Sequence, residues 1–281
     1  NTAVAPGHYF SKNPNFVRGA FSRVSPHDIL DWAIQHDIVL YEKTPGRYFC
    51  RDGANVVVDA LLVDAGAADV FLNQHVERVE KSGDCFCVNG FMAPALVVAT
   101  GGVSWGTLGV SDLGYKIAKQ FGHKIVPPRP GLCALAITGF SPDMAGVSLP
   151  VQIIIGKNHV NDSLLFTHFG IGGPAAYRAS LYAVHDGIRI NLMPGADVFE
   201  ILKQAKQTNG RRTIGGVLGD FLPNRVVRWR VGNEERRVAD IKDAELMQIA
   251  QRFSNVFIPG NKIKYHALSS AEVTFGGVDL A

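Results

Sequence analysis

The stretch that most constrains the fold is residues 96–104, which read Leu-Val-Val-Ala-Thr-Gly-Gly-Val-Ser. It opens with a continuous apolar run of strand length, a pattern typical of a buried strand in a parallel sheet. Gly101 and Gly102 at its carboxyl end lack Cβ atoms, so a ligand can come close to the backbone there. Ligands in open α/β sheets bind outside the carboxyl ends of the strands. We therefore predict a ligand-binding loop at residues 99–102, with a plain glycine turn after a strand as the alternative explanation.

Local signals predict both helices and strands on either side of this stretch. Ser25, Pro26 and Asp28 have the spacing of a helix cap, a first helical proline and a capping-box acid. Apolar periodicity and turn residues extend the prediction along the first part of the chain. Helices are expected at residues 26–34, 54–65 and 112–121, and strands at residues 38–42, 47–50, 70–72, 76–80, 85–88 and 95–99.

The composition changes at the proline-rich residues 127–131, where we place a domain boundary. A strand-rich part follows, then a helical part, and residues 267–278 are again typical of strands. Strands are expected at residues 132–138, 151–155, 164–169 and 188–192, and helices at residues 174–183, 196–207, 214–221 and 244–253. The resulting prediction is one domain at residues 1–130, a second at 131–266, and a return to the first at 267–281.

Composition excludes several classes of function. The net charge of +3 is too small to indicate a nucleic-acid partner. The densest basic region, residues 225–237, contains Glu234 and Glu235, and we interpret it as a solvated face. No apolar stretch approaches the ~20 residues of a membrane helix, and we expect no signal peptide. We therefore expect a cytoplasmic protein with neither a membrane nor a nucleic acid as its partner, while its oligomeric state stays open.

The sequence predicts no metal site. Cys85 and Cys87 are the only closely spaced cysteines, and zinc sites usually separate their cysteines by two to four residues. No two of the nine histidines have the i, i+4 spacing of a helical metal site. We expect the four cysteines to be reduced thiols.

Residues 170–175, Gly-Ile-Gly-Gly-Pro-Ala, fit the G-x-G-x-x-A pattern of a dinucleotide-binding loop. They follow an apolar run and precede a predicted helix that begins at Pro174, as such a loop requires. This pattern leaves a nicotinamide-dependent enzyme as one alternative. A tight strand-to-helix turn explains the same residues, and we favour it because the helix is short.

Seven segments, taken in their order along the chain, resemble the BaiN-like/aminoacetone-oxidase family of bacterial FAD-dependent oxidoreductases. They are residues 1–14, 46–50, 99–104, 121–125, 127–132, 165–170 and 273–278. The resemblance implies a mixed α/β (α+β) fold: an incomplete Rossmann-like FAD-binding domain with an inserted β-rich, barrel-like and helical domain. The family's FAD fingerprint belongs to a first strand-turn-helix that this chain does not show. We therefore expect a chain truncated at both ends.

The resemblance also implies functional residues. Thr100, Gly101 and Gly102 match the family's Ala-Thr-Gly-Gly beside the FAD, and Gly276 and Gly277 match its Thr-x-Gly-Gly-Val segment, which re-enters the flavin domain. Val76 occupies the position that contacts the adenine through its backbone in two-dinucleotide-domain flavoproteins. Phe49 and Cys50 match a Phe-Pro pair near the flavin and are expected to wall the substrate cavity, although Cys50 departs from the family residue.

The function implied by this resemblance is hydride transfer between FAD and a small organic substrate of the amine or enone class. NAD(P)H is a possible electron donor, and the residues do not identify a catalytic base. A non-catalytic fragment or binding module without a cofactor is a further alternative, because the main FAD-binding fingerprint is missing from the chain.

Overall fold

The computed structural model describes residues 1–11, 13, 15–106, 109–140, 142–232 and 234–280. Two residues of the first resembling segment, Lys12 and Pro14, and the last residue, Ala281, therefore lie outside the described part. The chain forms two compact units, one from residues 1–97 with 280–281, and one from residues 98–279. The domain assignment made from the sequence stays a prediction. The mixed α/β class is confirmed.

The first unit combines short helices with small antiparallel sheets. Its predicted helix start is confirmed, because Ser25 Oγ accepts a hydrogen bond from the Asp28 backbone N–H at 3.2 Å and Asp28 Oδ2 accepts one from the Ser25 N–H at 2.6 Å. The elements are α1 (Arg18–Phe21), α2 (Pro26–Gln35), β1 (Leu40–Thr44), β2 (Arg47–Cys50), α3 (Asn55–Asp64), β3 (Val79–Ser82), β4 (Cys85–Val88) and β5 (Phe91–Ala93).

Packing in the first unit centres on α2 and α3. Its buried cluster consists of Ala33, Ile38 and Ala60, against which Cys50 and Trp32 pack. Strands β1 and β2 form one antiparallel hairpin, and β3, β4 and β5 form an antiparallel three-stranded sheet. The predicted hairpin between β3 and β4 is thereby confirmed.

Two strand predictions in this region are wrong. Residues 95–99 and 70–72 are not strands, and they pair with no strand in the part of the chain that the structure describes. Val97 is 86% exposed and Leu72 is 74% exposed, so neither run is buried. An apolar run becomes a strand only when a neighbouring strand satisfies its backbone groups, and the apolar pattern by itself does not supply that neighbour.

The second unit is built on a seven-stranded antiparallel sheet. Its strands are β7 (Leu135–Ile137), β8 (Ser148–Ile155), β9 (Asn158–Phe166), β10 (Gly170–Gly172), β11 (Ile188–Asn191), β12 (Val256–Ile258) and β13 (Ile263–Tyr265). They pair in the order β12-β11-β8-β9-β10-β7-β13, so the predicted barrel-like insertion is a sheet with β12 and β13 at its edges. Its longest pairing, β8 with β9, runs in register from Ser148 opposite Leu165 to Ile155 opposite Asn158.

Five helices accompany this sheet: α5 (Gly173–Ala179), α6 (Val198–Asn209), α7 (Ile214–Leu218), α8 (Asn224–Val231) and α9 (Asp243–Ser254). Side chains from both the strands and the helices form one large apolar core, whose fully buried members include Phe166, Ile153, Leu202, Val226 and Phe253. Helix α5 packs against β9 through the buried small residues Ala175, Ala176 and Ala179. Within the described ranges, no helix is long and apolar enough to cross a membrane.

A separate two-stranded ribbon in the second unit positions residues 99–104, which we call the glycine-rich loop. It joins β6 (Ile125–Gly131) to β14 (Val273–Val278) in antiparallel register, with Phe275 opposite Arg129 and a bulge between Phe275 and Gly277. Helix α4 (Leu113–Gln120) contacts both strands. The proline-rich segment predicted as a boundary is therefore a strand, as prolines allow where a ladder has an open side.

Candidate functional site

Thr274, on strand β14, fixes the glycine-rich loop by hydrogen bonds although it lies far from the loop in the sequence. Its Oγ1 accepts hydrogen bonds from the backbone N–H groups of Val103 and Ser104, both at 3.1 Å, and lies 2.7 Å from Ser104 Oγ. A hydroxyl has one proton and two lone pairs. Because both lone pairs accept N–H groups, we infer that Thr274 donates its proton to Ser104 Oγ, which leaves the Ser104 proton for a ligand.

The two glycines of the loop have different roles. A Cβ placed on Gly102 would lie 2.6 Å from Thr274 Oγ1 and 3.3 Å from the Tyr115 hydroxyl, so only glycine fits against Thr274. Gly101 has a left-handed φ of +72°, and a Cβ there would meet no atom within 4 Å. Gly102 therefore packs the loop onto the ribbon, whereas Gly101 presents open backbone to which a ligand can come close.

The other predicted residues of this unit also contribute to packing. A Cβ on Gly114 of α4 would lie 2.6 Å from Thr100 Oγ1, which places the Thr100 side chain against the start of that helix. A Cβ on Gly276 would lie 2.7 Å from the Pro127 carbonyl oxygen, and one on Gly277 would lie 3.4 Å from the Tyr115 ring. The structure thus brings residues 100–102 together with residues 276–277 around Tyr115 and Thr274. Their contact with a cofactor stays a prediction.

A cleft of about 390 Å³ opens beside this loop. That volume lies in the range of ~300–1,000 Å³ usual for small-molecule sites. Its lining comprises Gly101, Gly102, Ser104, Trp105, Val110, Tyr115, Glu272, Val273 and Thr274. The cleft thus combines two aromatic side chains, hydroxyl groups and one carboxylate.

Trp105 is the most unusual residue of the cleft. Its φ of +59° is left-handed, which is uncommon for a residue with a bulky side chain, and the residue is 49% exposed. Strained backbone of this kind occurs preferentially at functional sites. Together with Tyr115, it gives the cleft two π-surfaces on which a planar ring can stack.

Electrostatics limit what the cleft can bind. Glu272 is exposed and has no ion-pair partner among the residues that the structure places, so it adds a negative charge, partly screened by solvent, to this wall of the cleft. A neutral or cationic ring is therefore a better ligand for this wall than an anionic group. The same described residues contain no group of three or more His, Cys, Asp or Glu able to hold a metal ion.

The remaining predicted site residues belong to the first unit. Asn89 accepts a hydrogen bond from the Glu77 N–H at 3.2 Å and donates one to the His75 carbonyl at 2.6 Å, which fixes the backbone on both sides of Val76. The N–H and C=O of Val76 itself have no hydrogen-bond partner within the described ranges. Phe49 is 46% exposed and its ring lies 6.0 Å from that of Tyr41.

Cys50 packs against the buried cluster of the first unit. The Cys50 side chain therefore contributes to the packing of this unit. The role of Phe49 and Cys50 in a substrate cavity stays a prediction. The adenine contact proposed for Val76 likewise stays a prediction.

The structure opposes a dinucleotide-binding loop at residues 170–175. Gly170 and Ile171 form an antiparallel strand with β7 and β9, so no parallel βαβ unit exists there. A Cβ on Gly170 would lie 2.3 Å from the Leu135 carbonyl oxygen, and one on Gly173 would lie 3.0 Å from the Leu165 nitrogen. These glycines accommodate the protein's own backbone, which leaves no room for a pyrophosphate.

Sequence reasoning missed Thr274, Ser104, Trp105, Tyr115 and Glu272 as members of the site. Two of them had a signal, since Thr274 lies inside the resembling segment 273–278 and Ser104 ends the segment 99–104. The pairing of these two segments, however, spans 170 positions of sequence. It has no local signature.

The HI0933-like protein Rossmann domain family matches residues 1–281. A ribosomal RNA dihydrouridine synthase of Haemophilus influenzae is 33% identical over 299 residues, covering 99% of this chain and 74% of that protein. The protein of the same name from Escherichia coli is 32% identical over 300 residues, covering 99% and 73%. A 3-dehydro-bile acid delta(4,6)-reductase of Clostridium scindens is 22% identical over 224 residues, covering 72% of this chain and 54% of that protein.

Proposed function

The chain belongs to the HI0933-like Rossmann-domain family, and from this premise we propose that it is an FAD-dependent oxidoreductase that reduces uridine in ribosomal RNA to dihydrouridine. The observation that carries the substrate is its similarity, over 99% of its length, to two proteins named ribosomal RNA dihydrouridine synthases. The narrower resemblance to aminoacetone oxidases stays a prediction, and NAD(P)H stays the proposed electron donor.

The names of the three relatives all describe the same type of reaction, the reduction of a carbon–carbon double bond. In uridine this bond is conjugated with a ring carbonyl, so its chemistry is that of an enone, one of the two small-substrate classes (amine or enone) that the resemblance implies. Reduction adds a hydride to one carbon and a proton to the other. When bound, reduced flavin would supply the hydride, and the proposed donor NAD(P)H would then reduce the oxidised flavin again.

The cleft fits a ring-bearing cofactor or base. The open Gly101 backbone allows close approach, the Ser104 hydroxyl has a proton to donate, and the rings of Trp105 and Tyr115 offer stacking surfaces. The Glu272 carboxylate disfavours phosphates at this wall, so these residues would hold the ring portion of a nucleotide. Base stacking on aromatic side chains contributes ~1–3 kcal/mol per base in nucleic-acid complexes.

The test uses the full-length holoprotein and ribosomal RNA from a strain that lacks this gene. We expect the purified protein to show flavin absorbance, and we expect its anaerobically reduced flavin to be reoxidised by that RNA with formation of dihydrouridine. A Thr274→Val variant should bind flavin more weakly, whereas Thr208→Val should bind it as the wild type does, because the Thr208 hydroxyl bonds only within α6 to the Gln204 carbonyl. A colourless protein that flavin does not reconstitute contradicts the proposal.

A second candidate is reduction of a small cyclic enone. It is favoured by the similarity to the bile acid reductase and by the expectation of a small-molecule substrate without a nucleic-acid partner. That expectation stays a prediction, and it conflicts with the proposal of an RNA substrate. In the same assay, reoxidation of the reduced flavin by a steroid enone but not by RNA would favour this candidate.

A further inference from the structure

We propose that a second cavity, beside Arg129, is a binding site for a phosphate group. This cavity of about 270 Å³ lies within the second unit and is lined by Arg129, Ala183, Val184, His185, Gly260, Ile263 and Tyr265. Its lining includes the Arg129 guanidinium, which carries a permanent positive charge, and no carboxylate. Neither the proposed reaction nor the predicted site residues use it.

The Arg129 side chain is held in a fixed orientation. The guanidinium carbon lies 3.9 Å from the ring centroid of Phe275 and 5.4 Å from that of Tyr265, so two aromatic rings contact the cation. Its Nη1 donates to the Ser180 carbonyl at 3.3 Å and its Nη2 to the Leu181 carbonyl at 3.4 Å. Two of its five N–H donors are therefore engaged, both in long hydrogen bonds.

The positive charge of Arg129 has no negatively charged partner among the described residues. No carboxylate lies within ion-pair distance of it among the described residues, although the side chain is partly buried. Charged groups withdrawn from water are usually paired, because desolvation of an isolated charge is costly. Asp186, the chain neighbour of His185, lies 3.3 Å from that ring and its side chain is 90% exposed, so solvent screens its charge. An anionic ligand in the cavity would provide the missing partner.

Arginine favours phosphate among anions, because its planar fork donates parallel hydrogen bonds to two oxygens. The phosphate could come from the RNA backbone or from a free phosphate compound. The first source rests on the proposed function. An RNA substrate would then contact the protein at two places. One of its phosphates would bind at Arg129, and one of its rings would bind in the cleft beside Glu272.

Two variants and one control test the site in the oxidised, full-length protein, without turnover. Arg129→Gln removes the charge. Ala183→Asp keeps Arg129 and places a competing carboxylate at an exposed position of the lining. Arg189→Gln is the matched control, because Arg189 also lies over an aromatic ring, 4.7 Å from Phe257, and donates to Asn255 at 2.8 Å, but lines no part of this cavity.

The readouts are the affinities for inorganic phosphate and for a short single-stranded RNA, measured over a series of salt concentrations. We expect both cavity variants to bind phosphate or RNA at least about tenfold more weakly, while the control is unchanged. If RNA is the source, Arg129→Gln should also reduce the slope of log affinity against log salt by about 0.7.

Loss of phosphate affinity without any change in RNA affinity would assign the site to a free phosphate compound. Equal affinities in wild type and both cavity variants, or an equal loss in the Arg189→Gln control, would overturn the proposal. Because neither readout requires flavin reduction or dihydrouridine, failure of the proposed function would leave the result for phosphate interpretable.

Discussion

Thr274 Oγ1 lies 2.7 Å from Ser104 Oγ and accepts the Val103 and Ser104 backbone N–H groups, so one hydroxyl fixes three polar groups of the glycine-rich loop. This contact joins β14 to the loop that lines the cleft. It makes the loop's conformation depend on a single side chain of the ribbon. The predictions for the cleft follow from this dependence.

Replacing Thr274 with Val should lower flavin affinity about tenfold or more, because two backbone N–H groups of the loop lose their acceptor at ~1 kcal/mol each. Thr274→Ser keeps the hydroxyl and should stay close to wild type. The measurement is flavin dissociation followed by fluorescence, together with the free energy of unfolding. Equal flavin affinity for the Val and Ser variants would show that Thr274 does not position the loop.

Replacing Gly102 with Ala should also weaken flavin binding, because the added Cβ would lie 2.6 Å from Thr274 Oγ1 and displace the loop. Gly139→Ala is the control: Gly139 has a left-handed φ of +77° but open space around it. That change should cost about 1–2 kcal/mol of stability without an effect on flavin. The idea fails if both variants bind flavin equally well.

Replacing Gly172 with Ala should leave the KM for NAD(P)H unchanged, because the nearest atom to the new Cβ, Thr167 Cγ2, would be 3.4 Å away. In a dinucleotide-binding loop, the same change would block the approach of the pyrophosphate. Steady-state NADH and NADPH oxidation by the holoprotein provides the measurement. A large rise in KM at unchanged stability would revive the nicotinamide-binding interpretation of residues 170–175.

A histidine-carboxylate pair in the first unit should make stability depend on pH. The Trp32 carbonyl, 2.9 Å from His36 Nδ1, and Asp64 Oδ1, 2.8 Å from Nε2, both accept hydrogen bonds and together raise the pKa of His36 above its ordinary 6.5. Hydrogen bonds from the Trp32 indole and from His36 lower the pKa of Asp64 below its ordinary 3.8.

The protonated His36 therefore stabilises the fold fully below pH 6.5, and this contribution disappears as the pH rises through the raised pKa. The Asp64 contribution is present above pH 3.8 and disappears as the pH falls through the lowered pKa. The difference in free energy of unfolding between wild type and His36→Gln should thus shrink above pH 6.5. A pH-independent difference, equal to that for exposed His27→Gln, would contradict this account.

Sequence reasoning succeeded where the determining interactions are local. The capping box of Ser25 and Asp28, the hairpin around Gly83, and helix α4 before Gly122 all depend on neighbours within a few residues. It failed for residues 95–99 and 70–72, because their apolar runs indicate burial but not the presence of a strand partner. The bonds of Thr274 to the loop were not predictable, since no local pattern records which hydroxyl meets which glycine loop.

The central claim is tested most directly by the dihydrouridine content of ribosomal RNA, measured by mass spectrometry in a strain without the gene and in complemented strains. We expect the dihydrouridine content to fall in the deletion strain, to return with the wild-type gene and with Thr208→Val, and to stay low with Thr274→Val. An unchanged dihydrouridine content in the deletion strain would contradict the proposed function.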